Sequence, residues 1–546
     1  MADRRWIAPV GLAAALALGV WLRAVLPATV QDLRPRPDAL EYEEAARNIL
    51  DGNGYFLVIE GSLYPPRYPF GFSLLLVPLL WAWDAGPGTG VVIVLACAIA
   101  TLVAVWRLAR DAAGPSAGAV AAFLVAASPV HVEWSRAVMS DVPAACATTW
   151  LLVGVVTALR RDRSAAAPGA RQERANLGAA LARWAALGLG IGLTALLRIP
   201  AAAVAAPAAL GVLLDRGPFR LHRLTALGAG LVLGLTPLWA YGLARFGSPL
   251  RSGYDLWVSG DAFFSLEYLS APPAGGGEVS NGIHYGLALA GLGDLYSWPI
   301  AVLVLVGFVE AVRAGGRRGE LAWLALAFTL PTVAAQVVFF WQDTRFLLPI
   351  VPVLLCVAAL PFAPEVRVAV RASALALAIA GLVLLARSPT LYAREKQLWE
   401  PTKLRQIDAL VPPNAAVLAH STEPFVRRIL RRPGTDRIWV PIGLDAHQLA
   451  RRLEKVAPTG PARDDGGWMR HGLDPRSAEG IVREMLSEGR PVYLSTMLRP
   501  KVKRFQEIFR ALDHSFRLEP VLRRDDGDLL FAVHARGDPP SRPTMP

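Results

Sequence analysis

The chain has 546 residues, 54% of them hydrophobic and only 18% charged, a balance that excludes an ordinary soluble enzyme. Its formal net charge of +12 would suit nucleic acid, but every lysine or arginine before Lys396 is an arginine in a short break between apolar runs, which is the mark of positive-inside topology. The three cysteines, Cys97, Cys146 and Cys356, all fall inside apolar runs, which argues against a disulfide framework or a cysteine metal cluster.

In chain order, the first apolar run, Ile7 to Leu26, follows Arg4 and Arg5 like a signal peptide. No small-residue cleavage site follows it and many further spans do, so it reads as a retained anchor. Membrane-length runs, roughly 17 to 25 residues for about 30 Å of hydrocarbon, then recur until Arg387. They fall at 6–28, 89–109, 116–132, 143–160, 184–198, 200–214, 224–244, 297–313, 320–341, 346–363 and 368–387, which makes about eleven crossings. The apolar stretch Pro69 to Ala85 is kept out of this count. If it crossed, the Arg107/Arg110 loop would change sides, so it reads as a helix lying at or dipping into the outer surface.

With that choice the arginine-rich breaks share one side: Arg4/Arg5, Arg107/Arg110, Arg160 through Arg183, Arg216/Arg220/Arg223, Arg313/Arg317/Arg318 and Arg367/Arg371. These face the cytoplasm. The outer side receives the acid-rich segment 29–69, the segment Glu133 to Asp141, the long loop 245–296, the turn Trp341 to Arg345 and the C-terminal region. Two short runs meet at Arg198-Ile199-Pro200, which places an arginine at the tip of a tight hairpin. Short or broken helices in a bundle often line a cavity, and an arginine there is costly unless it meets water or an anion.

After about Ser388 the pattern becomes amphipathic and β-rich. Ala416–Ala419, Arg437–Val440, Pro491–Ser495 and Leu529–Val533 read as strands, and 424–432, 445–456 and 477–489 have helical spacing. The expectation is therefore a transmembrane module over 1–387 with an external loop at 29–69, a soluble α/β domain over 388–536 and a disordered tail, 537–546. Pro458 to Gly472 reads as a loop. No internal repeat, P-loop lysine motif or dinucleotide fingerprint is present, which argues against an ATP-driven pump with its own motor.

Three outer-face elements can carry chemistry: Asp38 with Glu41 and Tyr42, the loop Tyr64-Pro65-Pro66-Arg67-Tyr68-Pro69, and Ser135 to Asp141. Each has a plainer reading. Asp38 suits a helix N-cap with Glu41 three residues on, and Asp141 before Val142-Pro143 suits a helix start. Arg345 suits an interface anchor beside Asp343, and Arg67 and Arg136 suit surface charges. His131 and Glu133, spaced i, i+2, do not share a helical face, so a metal pair there is disfavoured. Trp81, Trp298 and Trp341 read as interfacial aromatics. Glu267 and Tyr268 lie in the long outer loop without a telling spacing.

Taken together, Asp38, Tyr42, Ala45, Ala46, Gly54-Tyr55, Pro65-Pro66-Arg67-Tyr68-Pro69, Met139-Ser140-Asp141-Val142-Pro143 and Arg345-Phe346-Leu347-Leu348-Pro349 resemble the motifs of C-type membrane glycosyltransferases. The resemblance is to the protein O-mannosyltransferase and aminoarabinose transferase branch, glycosyltransferase family 39-like, and it covers nearly the whole chain. It implies transfer of a sugar from a polyprenyl-phosphate donor to an external cell-envelope acceptor, with membrane lipids as surroundings and no nucleic-acid partner. Such transfer needs a base for the acceptor, and Asp38 takes that role; Asp141 orients acceptor or sugar, or shares a cation with Asp38. The phosphate leaving group calls for arginine or a divalent cation, with Arg67, Arg136, Arg198 and Arg345 as candidates beside Tyr42 and Tyr68. Many members pair Asp with Glu at the first motif, whereas Ala39 follows Asp38, so carboxylates alone leave a divalent metal open. A transporter or flippase of lipid-linked sugars is the alternative, and a scaffold with an external domain explains the tail but not the acidic segment.

Overall fold

The computed structural model describes residues 7–25, 37–59, 62–83, 89–165, 170–215, 219–256, 263–273, 278–293 and 295–387, and C-terminally 406–407, 409–419, 438–441, 475–496, 503–523 and 529–537. Among the described residues, seven helices are long and apolar enough to cross a membrane: Val91–Ala113, Asp141–Ser164, Leu177–Ala195, Arg220–Phe246, Gly316–Val337, Thr344–Phe362 and Val368–Ala386. Each coincides with one of the predicted spans. The remaining predicted spans fall on shorter helices, Pro9–Val25, Pro115–Ala126 and Ile199–Leu214, and on Trp298–Ala314. The chain is a multi-pass membrane protein.

Two differences from the expected elements have physical causes. The helix at 184–198 is longer than its apolar run and spans Ala170–Ala195, because its polar first half is rich in helix-favouring Ala, Arg, Glu and Gln. The stretch at 69–85 forms the helix Gly71–Ala82. Its 12 residues rise about 18 Å, short of a hydrocarbon core, as expected for a dipping element.

Close backbone packing ties the long helices together. Gly188 and Gly192 face Gly230 and Gly234, and a Cβ on Gly188 would lie 2.0 Å from the Leu227 carbonyl oxygen. These are two small-xxx-small stripes on neighbouring helices, the usual means by which membrane helices approach without a hydrophobic driving force. Arg23, fully buried at the end of the first helix, donates to the carbonyls of Gly19, Val125 and Ala126 and to Ser135 Oγ, and its Nη2 lies 2.9 Å from His131 Nδ1. His131 is thereby occupied as a partner of a cation, a poor arrangement for a metal ligand.

After the first helix, helix Pro37–Leu50 is amphipathic and buries Ala39, Tyr42, Ala45 and Ala46. Its Glu43 accepts the Gly90 N–H at 3.0 Å, and its Tyr42 carbonyl accepts Ser73 Oγ at 3.0 Å, which fixes it to the helices behind it. The short antiparallel strands β1 (Leu57–Ile59) and β2 (Ser62–Tyr64) return the chain to the proline loop.

The C-terminal part has a core of its own, including Leu418, Val482, Leu494, Leu512 and Val533. Its five strands among the described residues are β3 (Ala416–Ala419), β4 (Ile438–Pro441), β5 (Val492–Ser495), β6 (Phe516–Arg523) and β7 (Leu529–Ala535), in order β4-β3-β5-β7-β6. The β4-β3-β5 half is parallel and the β5-β7-β6 half antiparallel. The four predicted strands are present, as is the predicted helix near 477–489, at Pro475–Ser487. β6 was not expected, because Glu519, Pro520 and its basic residues mask the alternation on an edge strand. The predicted helices at 424–432 and 445–456, the loop at 458–472 and nearly all of the tail lie outside the described residues.

Candidate active site

Helix Pro37–Leu50 presents Asp38 in its first turn, where the helix dipole favours a carboxylate. Yet both oxygens of Asp38 reach across the fold. Oδ1 accepts Arg67 Nη2 at 3.2 Å and Oδ2 accepts Arg345 Nη2 at 3.3 Å, residues 29 and 307 positions away. One turn later Glu41 grips Arg67, accepting its backbone N–H at 2.6 Å and its Nε at 2.8 Å. Arg345 Nε lies 3.1 Å from Asp343 Oδ2, and Asp343 also caps the 3₁₀ turn Thr344–Ile350 by accepting the Arg345 N–H at 3.0 Å. Each arginine is thus held by one carboxylate and offers its Nη2 to Asp38, that of Arg67 being shared with Glu41 Oε2 at 2.7 Å.

Burial pushes the Asp38 carboxyl up, but the guanidiniums of Arg67 and Arg345, with hydrogen bonds from Tyr68 and Arg345, outweigh it, and the group titrates below its ordinary value. Asp38 is therefore ionised over the whole physiological range. Its side chain keeps 18% exposure, so the carboxylate is not sealed from an incoming group.

A second pair sits beside the first. Asp141 opens the helix Asp141–Ala165 and is fully buried, with Oδ1 accepting Arg198 Nη1 and Oδ2 lacking a hydrogen-bond partner among the described residues. Arg198 precedes the 3₁₀ turn Ile199–Val204 in extended conformation, at the tip the sequence pointed to. The two pairs share one ring: Arg198 lies 4.9 Å and Arg345 5.4 Å from the Phe346 centroid, and Arg345 also stacks on Trp134 at 4.7 Å.

Aromatic side chains line the approach. Tyr42 stacks on Tyr68 at 4.7 Å, and its hydroxyl lies 2.9 Å from Ser140 Oγ, joining the first motif to the residue before Asp141. Tyr254, from the turn Gly253–Leu256, meets Tyr68 edge-on at 5.5 Å. That approach needs glycine at 253, where a Cβ would lie 1.9 Å from the Pro66 carbonyl oxygen. Burial pushes the Tyr254 hydroxyl up to about 12, against the pull of Arg198, Arg67 and Arg345, with Asp38 also among its charged neighbours. It stays a neutral donor amid both ion pairs.

Of the residues proposed from sequence, Asp38, Tyr42, Arg67, Tyr68 and Arg345 come together directly, and Asp141 and Arg198 join them through Phe346 and Ser140. Arg136 does not join the cluster. Its guanidinium donates to the Leu22 carbonyl at the foot of the first helix, so the sequence neighbourhood of Asp141 misled about its direction. Glu267 and Tyr268 lie in the 3₁₀ turn Leu266–Leu269, with Tyr268 buried, and no described contact links them to Asp38. Sequence reasoning missed Tyr254, which stands in a long loop with no spacing to flag it, and left Asp343 only as a partner for an anchor. Among the described residues no group of three or more His, Cys, Asp or Glu side chains is placed to hold a metal ion. The acids here are each gripped by arginine rather than converging on a point, so this donor set does not fit a divalent cation.

Residues 87–170, which include the Met139-Ser140-Asp141 element but not Asp38, match the family model described as dolichyl-phosphate-mannose-protein mannosyltransferase. Comparison by sequence with curated proteins gives no match. Among solved structures, ArnT from Cupriavidus metallidurans bound to undecaprenyl phosphate is similar at a TM-score of 0.61 and 15% identity, covering 97% of this chain and 98% of that one. The Archaeoglobus fulgidus oligosaccharyltransferase AglB, in complex with an inhibitory peptide and a dolichol-phosphate, is similar at a TM-score of 0.54 and 13% identity, covering 99% of this chain and 75% of that one. The multi-span C-type glycosyltransferase fold expected from the motifs is the fold of this chain.

Proposed function

We propose that this protein transfers a glycosyl group from a polyprenyl-phosphate-linked donor to a cell-envelope acceptor at the outer face of the membrane. The observation that carries the proposal is the Asp38 carboxylate, ionised and partly open, held between Arg67 and Arg345 at one rim of a C-type fold. It is supported by the mannosyltransferase family match and by the fold shared with ArnT, whose structure holds undecaprenyl phosphate. The N-terminus and arginine-rich loops are placed in the cytoplasm, and the C-terminal domain outside, on the charge asymmetry of the loops.

In this reading the acceptor nucleophile, a hydroxyl for example, attacks the anomeric carbon of the donor while Asp38 takes its proton. The bond from that carbon to the phosphate oxygen breaks and the electron pair leaves with the phosphate. In the resting site Arg67 and Arg345 keep Asp38 ionised, and their remaining N–H groups, with Arg198 and the Tyr254 hydroxyl, meet the charge that grows on the leaving phosphate. Asp141, being fully buried, serves by holding Arg198 rather than by touching the acceptor. Tyr68, backed by the buried Tyr42, offers a ring against which a sugar can stack.

The test is incubation of purified protein with labelled polyprenyl-phosphate sugars and envelope extract, comparing wild type with Asp38→Asn. Transfer of label by wild type and its loss in the variant are expected. Normal transfer by Asp38→Asn would overturn the base role. Movement of intact lipid-linked sugar between leaflets, without release of the sugar, would establish the transporter reading instead.

A further inference from the structure

A second basic site lies at the other end of the same helices. On Val91–Ala113 no charged residue occurs from Val91 to Trp106, and Arg107 is the first; on Asp141–Ala165 none occurs from Val142 to Leu159, and Arg160 and Arg161 are the first. The 19 residues from Asp141 to Arg160 rise about 28 Å, one hydrocarbon thickness from the outer site. At this level the two helices flank an open groove of about 480 Å³ lined by Arg107, Asp111, Thr157, Arg160, Arg161 and Ser164.

The lining is not self-neutralised. Asp111 is already engaged by Arg110 at 3.6 Å and Arg160 at 3.4 Å, which leaves Arg107 and Arg161 with no hydrogen bond or ion pair among the described contacts. Arg160 is further crowded by Arg317 and Arg163, with Glu320 the only other acid close by in its described surroundings. Thr157 and Ser164 donate their hydroxyl hydrogens to carbonyls of their own helix, at 2.7 and 2.9 Å, so their oxygens remain as acceptors. Two uncommitted guanidiniums call for an anion, and two hydroxyl oxygens beside them call for donors on the same molecule.

We infer that this groove binds the headgroup of an anionic phospholipid, a phosphodiester carrying a polyol such as phosphatidylglycerol. Arg107 and Arg161 take the phosphate, and Thr157 and Ser164 accept from the polyol hydroxyls. The lipid is favoured over a soluble phosphate ester because the groove begins where both helices leave the hydrocarbon, so acyl chains continue along the apolar faces below it. Basic pockets between membrane helices recognise headgroups in this way. The site is remote from Asp38 and does not depend on the proposed reaction.

The full-length protein in detergent would be titrated with phosphatidylglycerol, phosphatidylcholine and free glycerol phosphate, following bound lipid by native mass spectrometry. Removing both charges in Arg107→Gln/Arg161→Gln is expected to weaken phosphatidylglycerol binding roughly thirtyfold, on the scale of one lipid-facing arginine each. Arg313→Gln/Arg367→Gln, which alters arginines outside the groove, is expected to leave it unchanged. Equal loss in both variants, or no loss in either, overturns the site in favour of a general basic face. Full competition by free glycerol phosphate overturns the lipid as ligand. Should the first variant fail to fold, photoactivatable phosphatidylglycerol on wild type decides: cross-links within 107–111 and 157–164 support the site, and cross-links confined to other segments sink it.

Discussion

Arginine–carboxylate clusters stand at both ends of the bundle, inner and outer in the orientation proposed above, and they differ in what they leave free. At the inner end Asp162 is nearly fully buried and both its oxygens are spoken for: Oδ1 by Arg183 and Oδ2 by the Trp184 indole N–H at 2.9 Å, with Arg223 Nε 3.4 Å away. Arg223 passes on to Asp215, and Arg163 links Asp215 to Glu320, so that network closes on itself and staples four helical segments. At the outer end Asp38 has the same kind of partners but keeps an open side, and its arginines are held by other carboxylates, Glu41 and Asp343. An ion pair of similar composition is thus a staple where both oxygens of the central acid are buried and taken, and a candidate for chemistry where one edge stays accessible.

Asp38→Asn is the change that would break this contrast most severely. It keeps the shape and a hydrogen-bond acceptor but removes the proposed base, so transfer of labelled sugar should fall by roughly 10²- to 10⁴-fold, far beyond what the accompanying loss of two ion pairs takes from the melting temperature. At the inner staple the opposite pattern is expected. Asp162→Asn strips the partly exposed Arg183 of its counter-charge and leaves the buried Arg223 with Asp215 alone, and should cost about 3 kcal/mol of stability, read as a lower melting temperature in detergent, with the surviving folded fraction transferring normally. A melting temperature unchanged by Asp162→Asn would erase the distinction between the two ends.

Smaller effects sharpen the outer cluster itself. Glu41→Gln weakens the grip on Arg67, and since hydrogen bonds to charged groups are worth about 1.5 to 3 kcal/mol, transfer should fall roughly ten- to a hundredfold, in kcat more than in donor KM. Equal loss in a variant lacking Arg67 altogether, with no further loss in the double variant, would confirm that Glu41 acts through Arg67. Tyr254→Phe removes one neutral donor and should lower kcat/KM several-fold, about 1 kcal/mol of transition-state contact.

The pH dependence has a definite sign. Because the Asp38 carboxyl titrates below its ordinary value in the folded protein, its contribution to stability is present above the unfolded value near 4 and is lost as pH falls through the lower folded value. Between pH 5 and 8 no step in transfer rate should trace to Asp38. An acid limb centred above pH 5 that disappears on replacement of Arg67 or Arg345 would contradict the way those arginines hold it.

Much of the outer site was legible because its residues occur in short local patterns. Asp38 and Tyr42 stand one helical turn apart, Arg67 and Tyr68 lie in a proline-fixed loop, and Arg198 and Arg345 interrupt apolar runs where a charge needs a reason. Arg136 fails the same test in retrospect. It too lies near an acid in sequence, but the helix before it turns its guanidinium toward Leu22, and direction within a short irregular segment is not encoded in spacing. Tyr254 was invisible because its place depends on Gly253 fitting under the Pro66 carbonyl, a contact between segments nearly two hundred residues apart in sequence.

Hydropathy and loop charge by themselves determined that this chain is a multi-pass membrane protein with a β-rich C-terminal part, since a water-to-hydrocarbon transfer cost acts on each segment locally and leaves its length and charge in plain view. Only the tertiary structure decided that Arg67 and Arg345, 278 positions apart, close on the two oxygens of one carboxylate while Asp141 turns to Arg198. The reason is that pairing energy depends on distance and burial after folding, and neither quantity is written in the spacing of the residues.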